Sequence, residues 1–240
     1  MQTRRSIFEG KMGGFTGILR TGWLLVAALL LGGAAWAATG NNPAWLLTFT
    51  VTDKGAHIIG NPAAPTKVVE FASYTCPHCA QFEAIEAPQL KSQYVAQGQV
   101  SFEIRNLVRD GMDLTAAMAA RCGGKGRFFA NHRHLLATQS EWADGDRLSE
   151  ETVAKFDRED FLGFVQSAYT ELGLDRIMAA RGVTAAQAKI CMADAAGMDQ
   201  IFAMTDEAAA LGINGTPTLL VNGQVVDAYD FATLKPHFSK

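Results

Sequence analysis

Lys67-Val68-Val69-Glu70-Phe71-Ala72-Ser73 runs as a buried strand toward Cys76-Pro77-His78-Cys79, and Gln81-Phe82-Glu83-Ala84-Ile85-Glu86 continues beyond it as an amphipathic helix. Two thiols three positions apart at a strand-to-helix turn can close a small, strained and reactive disulfide, so the chain reads first as a thiol–disulfide exchange protein. A stable staple or half of a zinc site is the bland alternative. Zinc needs two further ligands. Cys122 and Cys191 do not form a second such pair, and His132 and His134 fall in a helical stretch where exposed or core-edge histidines are common. No metal and no cofactor is called for.

Downstream, Val100, Phe102 and Ile104 alternate as in a half-buried strand, after a helix expected from Cys79 to about Gln97; together these make a βαβ unit. From Asp113 to about Ala196, apolar residues recur at helical spacing between glycines, enough for four or five helices. Thr184 and Gln187 have capping-box spacing, and Asp175 is a candidate cap for a shorter helix before them. Gly123-Gly124-Lys125-Gly126 lacks phosphate-loop spacing and reads as a helix break. A helix from about Asp199 to Leu211 precedes Gly215-Thr216-Pro217 and Thr218-Leu219-Leu220-Val221, and Asn222-Gly223 then signals a two-residue hairpin into Gln224-Val225-Val226-Asp227. Residues 229–237 can close the fold as a helix.

Upstream, Trp45 to Ile59 reads as a lead-in with a short strand and a turn at Asp53-Lys54-Gly55, broken from the first main strand by Asn61-Pro62-Ala63-Ala64-Pro65. At the start, Arg4, Arg5, Lys11 and Arg20 precede an apolar run from Trp23 to Ala38 that ends in Ala35-Trp36-Ala37. That is the layout of an export signal over residues 1–38, with retention as an N-terminal membrane anchor as the alternative. Cleavage would take the formal charge from −3 to −6 and leave about 200 residues, one domain of ordinary size. No basic stripe with interleaved aromatics suggests nucleic acid. In an oxidising compartment Cys122 and Cys191 are expected to pair.

The order βαβ, helical insertion, αββα, with a CxxC at the first strand-to-helix turn and a proline opening a later strand, resembles the thioredoxin fold. Cys76-Pro77-His78-Cys79 with the long insertion is similar, more narrowly, to the DsbA family of periplasmic thiol oxidases. The corresponding division is a lead-in over 39–60, a thioredoxin-like domain over 61–112 and 197–240, and a helical insertion over 113–196.

Cys76, at the start of the helix, is the expected exposed attacking sulfur, because unpaired N–H groups and the helix dipole favour a thiolate there; Cys79 is the resolving thiol. A protonated His78 can add electrostatic stabilisation. The resemblance implies that Glu70, six residues before Cys76, is a buried acid that passes protons to and from Cys79. It also implies that Thr216-Pro217 is a cis-proline loop facing the cysteines, and that client docking uses Pro77, Thr216 and Pro217. Its partners would be reduced or unfolded exported proteins and a membrane DsbB-like, quinone-linked oxidase. Thr216 departs from the valine of the best-known oxidases and matches many isomerases, so a reductase or isomerase is the alternative enzyme. The roughly 20 residues between signal and core are too few for an isomerase's dimerisation domain. A thiol-dependent chaperone or metal carrier is a third, non-catalytic reading.

Overall fold

The computed structural model describes residues 43–238; the expected export signal over residues 1–38 lies outside the described residues. Six strands form one mixed sheet: β1 (Phe49–Val51), β2 (His57–Gly60), β3 (Thr66–Ala72), β4 (Val100–Asn106), β5 (Thr218–Val221) and β6 (Gln224–Val226). Their order is β1-β2-β4-β3-β5-β6; β3 and β4 are parallel and every other pairing is antiparallel. β3 is central, with Glu70 opposite Ile104 on one side and Leu219 on the other. Both of its faces are covered, which is why its sequence is a nearly continuous apolar run. Alternation along the strand sends Val68 and Ala72 into the core that holds Cys76, Cys79 and Phe82, and Val69 and Phe71 into a second cluster with Ala208 and Ile213. Glu70 shares the first face by the same period of two.

The helix after the cysteines is a composite. α1 (Pro77–Gln81) and α2 (Ala87–Leu90) are each followed by a π turn, Phe82–Glu86 and Lys91–Val95. Pro88 explains the first turn: it has no N–H to donate, and the Ala87 N–H reaches back five residues to the Phe82 carbonyl instead. The phase shift also overturns the simple amphipathic reading of this segment. Glu83 is buried and Ile85 is 52% exposed. The helix begins at Pro77 and ends by Val95, two residues away from the expected limit at either end.

Between β4 and the long helix α10 (Ala195–Ala210) the described residues form seven α-helices, more than the four or five expected: α3 (Gly111–Arg121), α4 (Lys125–Ala137), α5 (Gln139–Trp142), α6 (Glu150–Asp157), α7 (Phe161–Glu171), α8 (Leu174–Ala180) and α9 (Ala185–Cys191). The excess comes from local stops that periodicity does not register. Gly123 and Gly124, both at positive φ, separate α3 from α4, as foreseen, and Asp110, Ser149, Asp160 and Asp194 each cap a helix through a side-chain oxygen. Thr184 and Gln187 form the full capping box of α9. Asp175 is not a cap: Gly173, at φ 75°, holds that position and Asp175 lies in the first turn of α8.

α10 starts four residues earlier than expected because Asp194 caps it by accepting from the Gly197 N–H. It ends in a Schellman turn, with Gly212 at φ 72° and the Ile213 N–H bonded to the Ala208 carbonyl. Asn222 (φ 50°) and Gly223 (φ 82°) make the β5–β6 hairpin turn that the Asn-Gly pair demands. The chain closes with α11 (Phe231–Leu234) and a 3-10 turn at Lys235–His237.

Cys122, just past α3, and Cys191, at the end of α9, are joined by a disulfide with Cα atoms 5.7 Å apart. It closes a loop of 69 residues. In the chain-entropy view such a cross-link contributes about 4 kcal/mol. Replacing both cysteines by alanine should therefore lower the urea midpoint substantially with little effect on the thiol chemistry of Cys76. Equilibrium unfolding of the double variant checks this.

Candidate active site

Cys76 is the N-cap of α1, in extended conformation, with Pro77 as the first helical residue. That position suits proline, whose missing N–H is one the helix would leave unpaired, and it points the first helical N–H groups at the Cys76 sulfur. Both cysteines are free thiols. Contrary to the sequence expectation, Cys76 is not exposed: it is 3% accessible and Cys79 0%. The loops around the helix start cover the sulfur, while Pro77 and His78 stand out in solvent.

The two thiols have opposite electrostatics. Cys76 is held down to about 4 from an ordinary 9.0, chiefly by a hydrogen bond from the Cys79 thiol, with the Thr216 hydroxyl and the N–H groups of Cys79 and His78 adding to it. Burial works against this, as does the Thr216 carbonyl 3.2 Å from Cys76 Sγ, which can accept only from the protonated thiol. The same thiol–thiol bond, burial and the nearby Glu70 charge push Cys79 far up. His78 contributes its main-chain N–H to the stabilisation of the Cys76 thiolate.

Glu70 is fully buried on the face of β3 that carries the cysteines, and neither carboxylate oxygen has a hydrogen-bond partner. Burial, then the Glu83 charge, raise its pKa well above the carboxylate range, with Lys91 opposing. One Glu83 oxygen accepts from Lys91 at 2.7 Å, and the other is buried without a hydrogen-bond partner. His132 Nε2 lies 3.8 Å from the other Glu83 oxygen, but burial and Lys91 lower the imidazole to about 3, so this contact is with a neutral ring. The core-edge reading of His132 fails: it is 1% exposed, and its Nδ1 meets the Tyr74 hydroxyl at 3.0 Å.

Thr216–Pro217 is a cis peptide; Pro217 is buried and the Thr216 hydroxyl is enclosed without a partner by distance and angle, which leaves it available to the Cys76 thiolate. Cys76, Cys79, Glu70, Thr216 and Pro217 thus converge, and Cys122–Cys191 stands apart in the insertion. Sequence reading missed Asp113, Glu83 and the pair Tyr74–His132. Asp110 three residues before Asp113, directly after a strand, was the available cue for a cap; nothing in the sequence marks Glu83 as buried. Asp113 accepts the N–H groups of Tyr74 (2.6 Å) and Arg109 (3.0 Å), yet burial outweighs them and the Ser73 hydroxyl and raises it to about 7.

A cavity of about 560 Å³ between α7, α8 and α9, lined by Tyr169, Ala179, Val183 and Met192 among others, contains none of these residues. Among the described residues no cluster of three His, Cys, Asp or Glu side chains is placed to hold a metal ion, and no helix is long and apolar enough to cross a membrane.

A family model described as Thioredoxin matches residues 52–237. The chain belongs to the thioredoxin family. Within that family it is 33% identical to a crystal structure of a protein-disulfide isomerase from Novosphingobium aromaticivorans, with a TM-score of 0.68 over 75% of this chain and 94% of that one. A single-substitution form of alpha-DsbA1 from Wolbachia pipientis is 26% identical, with a TM-score of 0.55 over 68% of this chain and 73% of that one. A Rickettsia bellii relative that bears a protein-disulfide oxidoreductase name is 29% identical over 198 residues, 80% of this chain and 68% of its own length. Of the other Rickettsia relatives of that name, one is matched over 60% of its length and three over less than 40%. The thioredoxin fold and DsbA-like kinship expected from the Cys76–Cys79 motif are thus shown, and with them an enzyme of thiol–disulfide exchange.

The opposed thiols give a direct expectation. Alkylation of the reduced protein by iodoacetamide should reach half of its maximal rate near pH 4 and modify Cys76 alone, because Cys79 stays protonated across the whole range. Mass spectrometry after alkylation at pH 6 checks the site, and a half-point near 9 would remove the thiolate from the account.

Proposed function

We propose that this thiol–disulfide oxidoreductase is a dithiol oxidase that gives its Cys76–Cys79 disulfide to exported proteins. The observation that carries the reading is the stabilised Cys76 thiolate: whatever favours the reduced pair makes the disulfide a stronger oxidant.

In the forward reaction a client thiolate attacks Cys76 Sγ. The Cys76–Cys79 bond breaks, a mixed disulfide forms, and Cys79 leaves with the electron pair. Cys79 holds a proton strongly, and the protonated Glu70 beneath it is the donor. A second client thiolate then attacks the client sulfur of the mixed disulfide and expels Cys76, a good leaving group because its conjugate acid is strong. The client has lost two electrons and two protons, and the enzyme holds the dithiol. A membrane quinone-linked oxidase of the DsbB type would restore the disulfide. Pro77, His78, Thr216 and Pro217 form the rim on which the client lies. Residues 1–38 support export to the periplasm, by cleavage or as an anchor.

Isomerase or reductase activity is the second reading, favoured by Thr216 and by the name of the Novosphingobium neighbour. One assay separates them. Oxidised enzyme is mixed with a reduced, unfolded client, and reduced enzyme with a scrambled one. Fast oxidation in the first and slow reshuffling in the second supports the oxidase; the reverse pattern overturns it.

A further inference from the structure

The three residues between β3 and Cys76 are tied, donor by donor, to helices of the insertion. The Tyr74 N–H donates to Asp113 Oδ1 at 2.6 Å, and the Gln139 side-chain amide donates to the Tyr74 carbonyl at 2.6 Å. The Tyr74 hydroxyl meets His132 at 3.0 Å, and the Thr75 hydroxyl donates to Asp110 Oδ2 at 2.8 Å. These partners come from the start of α3 and from α4 and α5, none of which is part of the sheet that carries β3. The other Asp113 oxygen accepts the Arg109 N–H at 3.0 Å, so one buried carboxylate joins the loop before Cys76 to the loop after β4.

We propose that Asp113 is a positioning residue for the redox reaction: through Tyr74 it fixes where the chain enters α1, and so holds Cys76 Sγ against the Cys79 thiol and the N–H groups that stabilise its thiolate. The geometry of those stabilising groups is short-range. A displacement of a few tenths of an ångström at the N-cap weakens several hydrogen bonds to sulfur at once. Gln139 acts on the same loop from the opposite side of the Tyr74 peptide, and the tether from Asp110 to Thr75 limits the residue next to Cys76. The insertion therefore sets the reactivity of a cysteine that belongs to the sheet's own strand-to-helix turn. This holds in either direction of electron flow, because it concerns the stability of the Cys76 thiolate and not the identity of the client.

Asp113→Ala tests it, because alanine leaves both N–H groups without an acceptor at the pH where Cys76 titrates, whatever the protonation of Asp113 in the parent. In the folded variant the Cys76 titration, followed by thiolate absorbance, should move up by at least one pH unit. The glutathione equilibrium should move at least fivefold toward the disulfide. Asp160→Ala is the control, since Asp160 caps α7 in the same insertion without touching the loop. It should lower the melting temperature with the thiol titration unchanged. If Asp113→Ala changes the melting temperature alone, with the titration and the equilibrium within twofold of the parent, the positioning role is overturned. Should Asp113→Ala fail to fold, Asp113→Asn decides on the glutathione equilibrium at pH 8, where Asp113 of the parent is ionised: a shift of fivefold or more toward the disulfide supports the role, and a shift within twofold overturns it.

Discussion

Replacing Cys76 with serine should abolish disulfide transfer to a reduced client, leaving only the rate of the enzyme-free control. Serine keeps the shape of the N-cap and the start of α1 but supplies no sulfur for the mixed disulfide, so loss of transfer with an intact circular-dichroism spectrum isolates the chemistry from the fold. Cys79→Ala has a different expected outcome. Cys76 can still be captured by a client disulfide, but no internal thiol is left to resolve the adduct, so a covalent enzyme–client complex should accumulate on non-reducing gels. The pair of results assigns attack and resolution to the two sulfurs, which the opposite displacements of their pKa values require.

The second large effect concerns Glu70. Replacement by leucine should stabilise the protein and slow it. The folded-state pKa of Glu70 lies well above its ordinary 4.5. The folded protein therefore binds a proton that the unfolded chain has released, and the stability linked to Glu70 is full below pH 4.5 and declines as pH rises toward the folded value. Between pH 4.5 and the folded value, each rise in pH takes away stability that leucine would recover. The gain should nearly vanish near pH 4, and urea unfolding at the two pH values measures it. Loss of the proton donor beneath Cys79 should slow formation of the mixed disulfide by roughly 10². Stabilisation without slowing would keep Glu70 as a buried acid but remove it from the proton transfer.

The readable parts of this chain are those where a local signal has a single physical solution. Asn222-Gly223 needs positive φ at both positions, and both have it. The nearly continuous apolar run of β3, interrupted by Glu70, fits a strand covered on both faces. The CxxC with its neighbouring proline fixed the helix start to within a residue or two. What the sequence could not convey is long-range. Glu83 looks like a surface residue until the π turn ahead of Pro88 rotates it inward toward Lys91 and sends Ile85 out. His132 looks ordinary until Tyr74, 58 positions earlier, comes to meet it. The burial of Cys76 likewise depends on the Thr216 loop, 140 positions away, closing over a sulfur that the motif alone would leave in solvent.

The stabilised thiolate also predicts that the reduced form is the more stable one at neutral pH. A folded pKa near 4 against about 9 in the unfolded chain gives stability that is complete above the unfolded value and is lost as pH falls through 4. The melting difference between reduced and oxidised protein should shrink steadily from pH 7 to pH 4. The most direct test of the whole account is the reduction potential of Cys76–Cys79, measured by equilibration with glutathione at pH 7. An oxidase of this kind should lie well above the thioredoxin value of about −270 mV, at about −180 mV or higher. A potential at or below about −270 mV would contradict it, because the disulfide would then be too stable to give away.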